Sequence, residues 1–338
     1  MKYELTLLEN AEIEVIDGDR GKNYPHQSEL QDNGFCLFLS AKNVTKTGFV
    51  FDETQYISKE KDELLNNGKL GRGDIVITTR GTIGNVALYS AKVSYDNIRI
   101  NSGMLIIRCG KNISNQYLYQ ALRSDWFQRQ IMAVQSGSAQ PQLPKSHFLK
   151  MSIPLPILSI QQKIANVLQA LDDKIELNSA INNNLSVLLQ AIYQKLFGDV
   201  SLGANQGILS DICSYSKEKV AVSELNVNTY FSTENMLPEK AGSIKATSLP
   251  TTPQTTACRK GDTLISNIRP YFKKIVYCED MCGCSTDVLC FTPVQSQYAA
   301  YLFSTLYNDK FFAFMVSGSK GTKMPRGDKQ QIMTYPVV

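Results

Sequence analysis

The sequence has few of the features that carry catalysis. It contains two histidines, His26 and His147, which lie far apart and have no companion residues that suggest a metal site or a catalytic triad. It contains no G-x-x-x-x-G-K-[ST] loop, and no G-x-G-x-x-G follows a strand, which argues against a P-loop ATPase and a nucleotide-cofactor enzyme. It also lacks the Asn-Pro-Pro-aromatic tetrapeptide expected of a base methyltransferase. We therefore predict no catalytic residues.

The chain also lacks a long apolar run. No stretch reaches about 18 apolar residues, so no transmembrane helix is expected, and the acidic residues of the opening MKYELTLLENAEIEV do not suit a signal peptide. We therefore expect a cytoplasmic protein with no membrane partner, whose 8 cysteines are reduced thiols. The spacing of Cys278, Cys282, Cys284 and Cys290 matches no common zinc pattern. Inert strand cysteines are favoured over a metal site, and we predict no metal.

The composition is that of a globular protein with room for two domains. The chain has 338 residues, of which 43% are hydrophobic and 20% charged, and this balance excludes bulk disorder. The formal net charge is +4. This mildly basic balance permits a nucleic-acid partner but does not require one, because the distribution of charge matters more than its total.

Residues 1–157 predict a mixed α/β domain. A helix is expected from Asn115 to Met132 with Ser114 as its N-cap, and the prolines of Ile153-Pro154-Leu155-Pro156 end the segment. Short strands between turn-forming clusters are predicted over Phe35–Leu39, Asp74–Thr79, Asn85–Leu88 and Met104–Arg108.

A single long helix is predicted over residues 158–200. No proline or glycine occurs from Ser159 to Phe197, and apolar or Asn side chains recur in alternating steps of four and three, the heptad pattern of a coiled coil. Asn178 and Asn182 interrupt the pattern and are expected to fix the register of a partner helix. Packing on its own domain is the alternative. The predicted partner seam consists of Ile164, Leu168, Leu171, Ile175, Asn178, Asn182, Leu185, Leu189, Ile192 and Leu196.

Residues 201–338 repeat the pattern of the first domain. Gly73-Asp74 and the strand after it return as Gly261-Asp262 with its own strand, and Arg80 has a near-equivalent in Arg269. Since order is kept and spacing drifts little, the chain is predicted to be α+β, with two similar mixed α/β domains joined by a long coiled-coil-forming helix.

Basic and polar side chains gather in the loops of both copies. Lys and Arg neutralise phosphates, and hydroxyl and amide groups hydrogen-bond phosphates or base edges, so such loops suit DNA. The alternatives are ordinary solvated loops and an Arg80 that only ties its own turn. The predicted DNA-binding residues are Thr78, Thr79, Arg80, Gln140, Gln142, Lys145, Arg269, Lys273, Lys274, Lys320, Lys323 and Arg326.

Together these features resemble the specificity subunit of type I restriction–modification systems. The match lies in the strand–turn–strand stretch 73–86, in the Pro154-Leu155-Pro156 joint with the helix after it, and in the duplicated plan. The resemblance implies that residues 1–157 and 201–338 are target recognition domains, each of which reads one half of a split DNA sequence. It implies that the helix over 158–200 is a spacer that sets the distance between the halves.

The resemblance also implies the partners. These are double-stranded DNA, modification subunits that methylate adenine with S-adenosylmethionine, and a restriction subunit that uses ATP and Mg. The chain itself would then hold no cofactor and recruit the catalytic subunits. Family members carry a second spacer helix after the second domain, which is not found before Val338, so the seam is expected to pack on a partner subunit or on another copy. The alternatives are a coiled-coil protein–protein interaction scaffold without DNA specificity and a nuclease or methyltransferase with an unfamiliar site.

Overall fold

The structure, a computed structural model, describes residues 4–135, 142–197 and 207–338. It divides into two compact units, Met1–Asn178 and Ser179–Val338, and the division falls inside one long helix. Both units combine helices with small sheets, so the predicted fold class is confirmed. Within the described part of the chain, we find no helix with the length and apolarity of a membrane span.

The first unit is built from short strands and helices. Single 3-10 turns cover Leu8–Asn10, Gln27–Glu29 and Ala41–Asn43. Its helices are α1 (Lys59–Leu64), α2 (Asn115–Arg123), α3 (Asp125–Gln135), α4 (Lys145–Leu149) and the start of the long α5 (Leu158–Phe197). Its strands are β1 (Leu5–Leu7), β2 (Ile13–Asp17), β3 (Cys36–Leu39), β4 (Val44–Thr45), β5 (Gly48–Phe49), β6 (Tyr56–Ile57), β7 (Ile75–Thr78), β8 (Val86–Leu88), β9 (Ile98–Ile100), β10 (Met104–Cys109) and β11 (Ser152–Pro154).

The main sheet of the first unit is covered on both faces. Its strand order is β2-β10-β7-β8, and all its pairs are antiparallel. In β7, Ile75 and Ile77 point into one apolar cluster while Val76 points into another. Because successive side chains alternate between the faces, a strand packed on both sides is apolar throughout. The predicted strand β7 is confirmed to within one residue at each end, as are β3, β8 and β10.

The prediction of one helix from Asn115 to Met132 was wrong, because the segment forms two helices that meet at Ser124. This residue has extended backbone angles, φ −62° and ψ 146°. Its Oγ donates to the carbonyl of Ala121 (2.7 Å) and accepts from the backbone N–H of Phe127 (3.3 Å). Serine therefore ends one helix and caps the next. The predicted cap at Ser114 is present, since its hydroxyl accepts from the N–H of Tyr117.

The second unit holds the rest of α5 and a further set of short elements. Single 3-10 turns cover Val222–Glu224, Pro270–Phe272 and Ser296–Tyr298. Its helices are α6 (Leu209–Ile212), α7 (Ala299–Tyr307), α8 (Asp309–Ser317) and α9 (Lys329–Met333). Its strands are β12 (Gly207–Ile208), β13 (Cys213–Tyr215), β14 (Lys219–Ala221), β15 (Tyr230–Phe231), β16 (Gln254–Cys258), β17 (Thr263–Ser266), β18 (Ile275–Tyr277), β19 (Cys282–Cys284), β20 (Val288–Pro293) and β21 (Pro336–Val337).

The strand order of the second unit repeats that of the first. Its main sheet runs β13-β20-β17-β18, which matches β2-β10-β7-β8 strand for strand, and the pair β12–β21 matches β1–β11. Strand β17 is also buried on both faces, with Ile265 in one apolar cluster and Leu264 in another. The internal repeat predicted from the sequence is therefore present in the fold.

Candidate nucleic-acid interface

The turn between β7 and β8 presents Arg80 to solvent. Thr78 and Thr79 are buried, and their polar atoms hold the turn. The Thr78 hydroxyl accepts from the N–H of Asn85 (3.0 Å), and the Thr79 N–H donates to the carbonyl of Gly103 (2.7 Å). Arg80 follows directly and is exposed. Of the three residues predicted here, Arg80 is the one whose side chain can reach a ligand.

The same turn depends on two glycines. Gly81 and Gly84 have φ of +71° and +90°, values that side chains other than glycine's rarely adopt. At Gly84 a Cβ would lie 2.8 Å from Oε1 of Gln128, whose Nε2 donates to the Gly84 carbonyl at 2.9 Å. At Gly81 the nearest atom would be the Cβ of Ala41 at an ordinary 3.8 Å. Gly84 is thus locked by packing and conformation, and Gly81 by conformation alone.

A cleft beside this turn was not predicted from the sequence. It has a volume of about 580 Å³ and lies between the turn and the β4–β5 hairpin. The Nδ2 of Asn85 donates to the carbonyl of Val44 at 2.9 Å and joins the two segments, which are 41 residues apart. The cleft is lined by Thr45, Lys46, Thr47, Thr82, Ile83 and Asn85. The three threonines are the signal for it that the sequence contains.

The segment that follows residue 141 runs alongside the Arg80 turn. The N–H of Leu143 donates to the carbonyl of Thr79 at 3.0 Å. Gln142 is exposed next to this contact, and Lys145 begins α4 after Pro144. The structure therefore places Gln142 and Lys145 near Arg80 in the fold. The predicted contact Gln140 lies outside the described residues.

In the second unit, the turn between β17 and β18 is joined to the basic loop 320–326. The N–H of Arg269 donates to the carbonyl of Pro325 at 2.8 Å. The loop is closed by two hydrogen bonds between the backbones of Lys320 and Arg326, both 2.9 Å long. Residues predicted from two separate stretches, Arg269 on one side and Lys320, Lys323 and Arg326 on the other, therefore form one surface.

The cations of this loop lie at the surface, and two of them form exposed ion pairs. Lys320 pairs with Asp328 at 2.7 Å, and this hydrogen bond raises the pKa of the Lys320 ammonium. Arg326 pairs with Asp287 at 3.1 Å. Exposed pairs of this kind contribute little to stability and are readily exchanged for another anion. Lys323 is exposed as well.

Lys273 and Lys274 are used inside the unit. The Lys273 ammonium lies 3.0 Å from Asp309, and the hydrogen bond to this carboxylate raises the Lys273 pKa. The Lys274 ammonium donates to the carbonyl of Thr233 at 2.6 Å, and burial lowers its pKa. Both side chains therefore brace the turn, a use that the sequence pattern of adjacent lysines did not reveal.

The first half of α5 docks on its unit through charged and polar contacts. Asp172 accepts hydrogen bonds from Arg123 (2.8 Å) and Gln120 (2.7 Å). Lys92 lies 2.8 Å from both Asp173 and Glu176. None of these residues belongs to the predicted seam. The seam residues Leu168, Leu171 and Ile175 remain exposed, Leu171 at 53% and Ile175 at 64%, whereas Ile164 is half-buried.

The second half of α5 docks on its own unit in a similar way. The Oε1 of Gln190 accepts from Nδ2 of Asn308 at 3.1 Å, and the Oη of Tyr193 accepts from Thr305 at 3.1 Å. Phe197 packs on the ring of Tyr301, with centroids 4.7 Å apart. In this half the seam residues Leu185, Ile192 and Leu196 are exposed, Leu185 at 58% and Leu196 at 65%, whereas Leu189 is half-buried. The contacts of the helix with its own units thus leave most of the seam exposed.

No group of three or more His, Cys, Asp or Glu in the described residues is arranged to hold a metal ion. The cysteines Cys258, Cys278, Cys282, Cys284 and Cys290 lie in one apolar cluster with Leu264 of β17 and Val288 of β20. All five are buried, and the absence of a metal stays a prediction.

The fold and its surfaces define a class of proteins with two similar domains, each with a basic turn, and one long helix. Residues 10–187, more than half of the chain, match the model of the family described as the type I restriction modification DNA specificity domain. The chain therefore belongs to this family.

Two curated relatives support this family membership. The chain is 28% identical over 212 residues to the type I restriction enzyme HindI specificity subunit of Haemophilus influenzae, covering 60% of this chain and 45% of that one. It is 30% identical over 174 residues to the MjaVIII specificity subunit of Methanocaldococcus jannaschii, covering 48% and 39% respectively. The chain thus spans less than half the length of these curated relatives.

A solved structure shows the same fold. The S subunit of a type I restriction–modification system from M. genitalium superposes with a TM-score of 0.59 at 16% identity. The match covers 99% of this chain and 84% of that one.

Two alanine substitutions test the account of the first turn. We expect Gly81→Ala to lower the free energy of unfolding by about 1 kcal/mol, the cost of a left-handed alanine. Gly84→Ala should cost about 2 kcal/mol, because the Cβ also pushes aside the end of the Gln128 side chain and weakens its hydrogen bond to the Gly84 carbonyl. Urea unfolding measures both. Equal losses would contradict the packing role of Gln128.

Proposed function

We propose that this chain is a DNA specificity subunit whose two units each read one half of a split target. The observation that carries the proposal is the duplicated turn. In both units a strand buried on both faces ends in a turn that bears an arginine, beside a second segment that carries further polar or basic side chains. Family membership and the named specificity subunits among its relatives support the same conclusion.

The predicted DNA-binding residues fall into two groups, those exposed enough to contact DNA and those that hold the turns in place. We assign contact with DNA to the exposed or half-exposed side chains Arg80, Gln142, Lys145, Arg269, Lys320, Lys323 and Arg326. Gln140 stays a predicted contact. The buried Thr78 and Thr79 and the internally paired Lys273 and Lys274 shape the turns that carry the contacts.

The proposed subunit recruits catalysis rather than performing it. Modification subunits would supply S-adenosylmethionine and adenine methylation, and a restriction subunit would supply ATP-driven cleavage with Mg. The exposed seam of α5 is the proposed site for a partner helix, since a stripe of apolar side chains along a helix is stabilised when another helix covers it. Asn178 and Asn182 would fix the register. A cytoplasmic location fits these partners. An interaction scaffold would use the same seam but leaves the two basic turns without a role.

The first prediction of this proposal concerns phosphate contacts. Arg80→Gln and Lys323→Gln each remove one exposed cation, so binding to duplexes of any sequence should weaken, and the slope of log K against log salt should fall by about 1. Fluorescence anisotropy with a random-sequence duplex measures this on the full chain purified with its modification subunit. Lys163→Gln, which removes an exposed cation from α5, is the matched control and should leave the slope unchanged. A slope insensitive to both turn variants would contradict the assignment.

The second prediction concerns the seam. Leu171→Glu and Leu185→Glu place a charge where a partner helix is expected to pack, and each should reduce copurification of the modification subunit at least tenfold. The thermal unfolding of the chain should change little, because both leucines are more than half exposed in it. Asn166→Glu and Gln194→Glu introduce the same charge at exposed helix positions outside the seam and should copurify normally. Normal copurification of both leucine variants would rule out the seam as the docking site.

A further inference from the structure

Strained backbone in the described residues concentrates at the β17–β18 turn. Non-glycine residues with positive φ are Arg269 and Lys273 in this turn and Glu239 and Lys240 in the segment beside it, with φ between 49° and 60°. The N–H of Glu239 donates to the carbonyl of Phe272 (2.8 Å), and the N–H of Lys240 donates to that of Lys273 (3.0 Å). All four therefore meet at one place. Strain of this kind persists where the surroundings fix the backbone, and it concentrates at functional sites.

The first unit shows that the fold does not require side chains at these positions. The final strand pairs before the turns are Ile77↔Val86 and Ile265↔Ile275. Arg269, like Gly81, is the fourth residue after the first member of its pair, and Lys273, like Gly84, is the second residue before the other member. The turn of the second unit is one residue longer, and all four residues have positive φ. Glycine would satisfy both positions without strain. The second unit therefore carries two cations where the backbone favours glycine.

The two cations differ in their partners inside the unit. Lys273 is held by Asp309, as described above, so its side chain has a role inside the unit. Arg269 has weak internal partners. Its Nη2 reaches the carbonyl of Lys323 at 3.5 Å, and its buried Nε has no hydrogen-bond partner among the described residues. The backbone strain at Arg269 is therefore not offset by hydrogen bonds from most of its guanidinium donors.

Between the two cations the turn displays aromatic rings. Tyr271 is 47% exposed and Phe272 37% exposed, and their ring centroids are 4.7 Å apart. The turn is held on one side by Glu239 and Lys240 and on another by the 320–326 loop, where Ile268 pairs with Arg326. Exposed rings on a firmly held turn beside basic residues suit contact with bases, because an aromatic ring can stack on or wedge between them.

We propose that Arg269 and Tyr271 are the residues of this turn that determine base specificity in the second half of the target. This inference rests on the proposed function. Arg269 donates to acceptors on a base edge, and Tyr271 packs against the neighbouring base. A rigid turn is needed for base readout, because directional hydrogen bonds to a base edge tolerate little misplacement, whereas flexible lysines suffice for phosphates.

Selection from a random duplex pool, with the full chain bound to its modification subunit, tests the proposal. Wild type should enrich a split motif. Arg269→Gly should lose preference at one or two positions of one half-site, by about 10- to 100-fold in discrimination, and keep the other half. Tyr271→Ala should bind the wild-type motif about tenfold more weakly. The glycine variant should unfold at or above the wild-type temperature, because it relieves a positive φ.

Lys260→Gln is the matched control. It removes an exposed cation that precedes β17, at the end of the strand away from the turn, so the wild-type motif should be selected. An unchanged motif with unchanged affinity for both Arg269→Gly and Tyr271→Ala would overturn the inference while leaving the proposed function intact. Loss of sequence preference in both half-sites in these variants would also overturn the inference. A wild-type complex that enriches no motif would instead refute the proposed function.

Discussion

Strands β7 and β17 are buried on both faces, and this constraint fixes where each unit can present polar groups. A strand between two apolar clusters has no free face, so hydrogen-bonding side chains can leave the sheet only where the strand ends. Each strand is followed by a turn that contains two residues with positive φ. The adjoining segments, around Leu143 in one unit and Pro325 in the other, bond to these turns and add their cations to the same surface.

The two turns meet this constraint with different chemistry. The first uses Gly81 and Gly84, which adopt positive φ at little cost, and it places Arg80 just before them. The second places Arg269 and Lys273 at the corresponding positions, where each left-handed side chain costs roughly 1–2 kcal/mol. Two similar turns therefore carry different sets of side chains, as expected of two domains that read different halves of one target.

Much of this could be predicted from the sequence where the signal was periodic or local. The heptad steps predicted α5, and the β-branched run predicted β7. The break at Ser124 was missed, because one serine between two amphipathic stretches gives a weaker signal than their shared period. The cleft lined by Thr45 and Thr47 was missed, because it depends on a contact between segments 41 residues apart. From the sequence, Arg269 is only a near-equivalent of Arg80, and the strand pairing identifies Gly81 as its counterpart.

The central claim is that this chain supplies a split DNA specificity to catalytic partners. The most direct measurement is to express it with a modification subunit of the same family in a host that lacks adenine methylation, and to map methylated adenines by long-read sequencing. The account predicts one motif of two short specific halves separated by unspecified bases, present only when the chain is expressed. A complex that assembles but methylates no motif would contradict the account. Methylation of the same motif in cells that do not express the chain would contradict it as well.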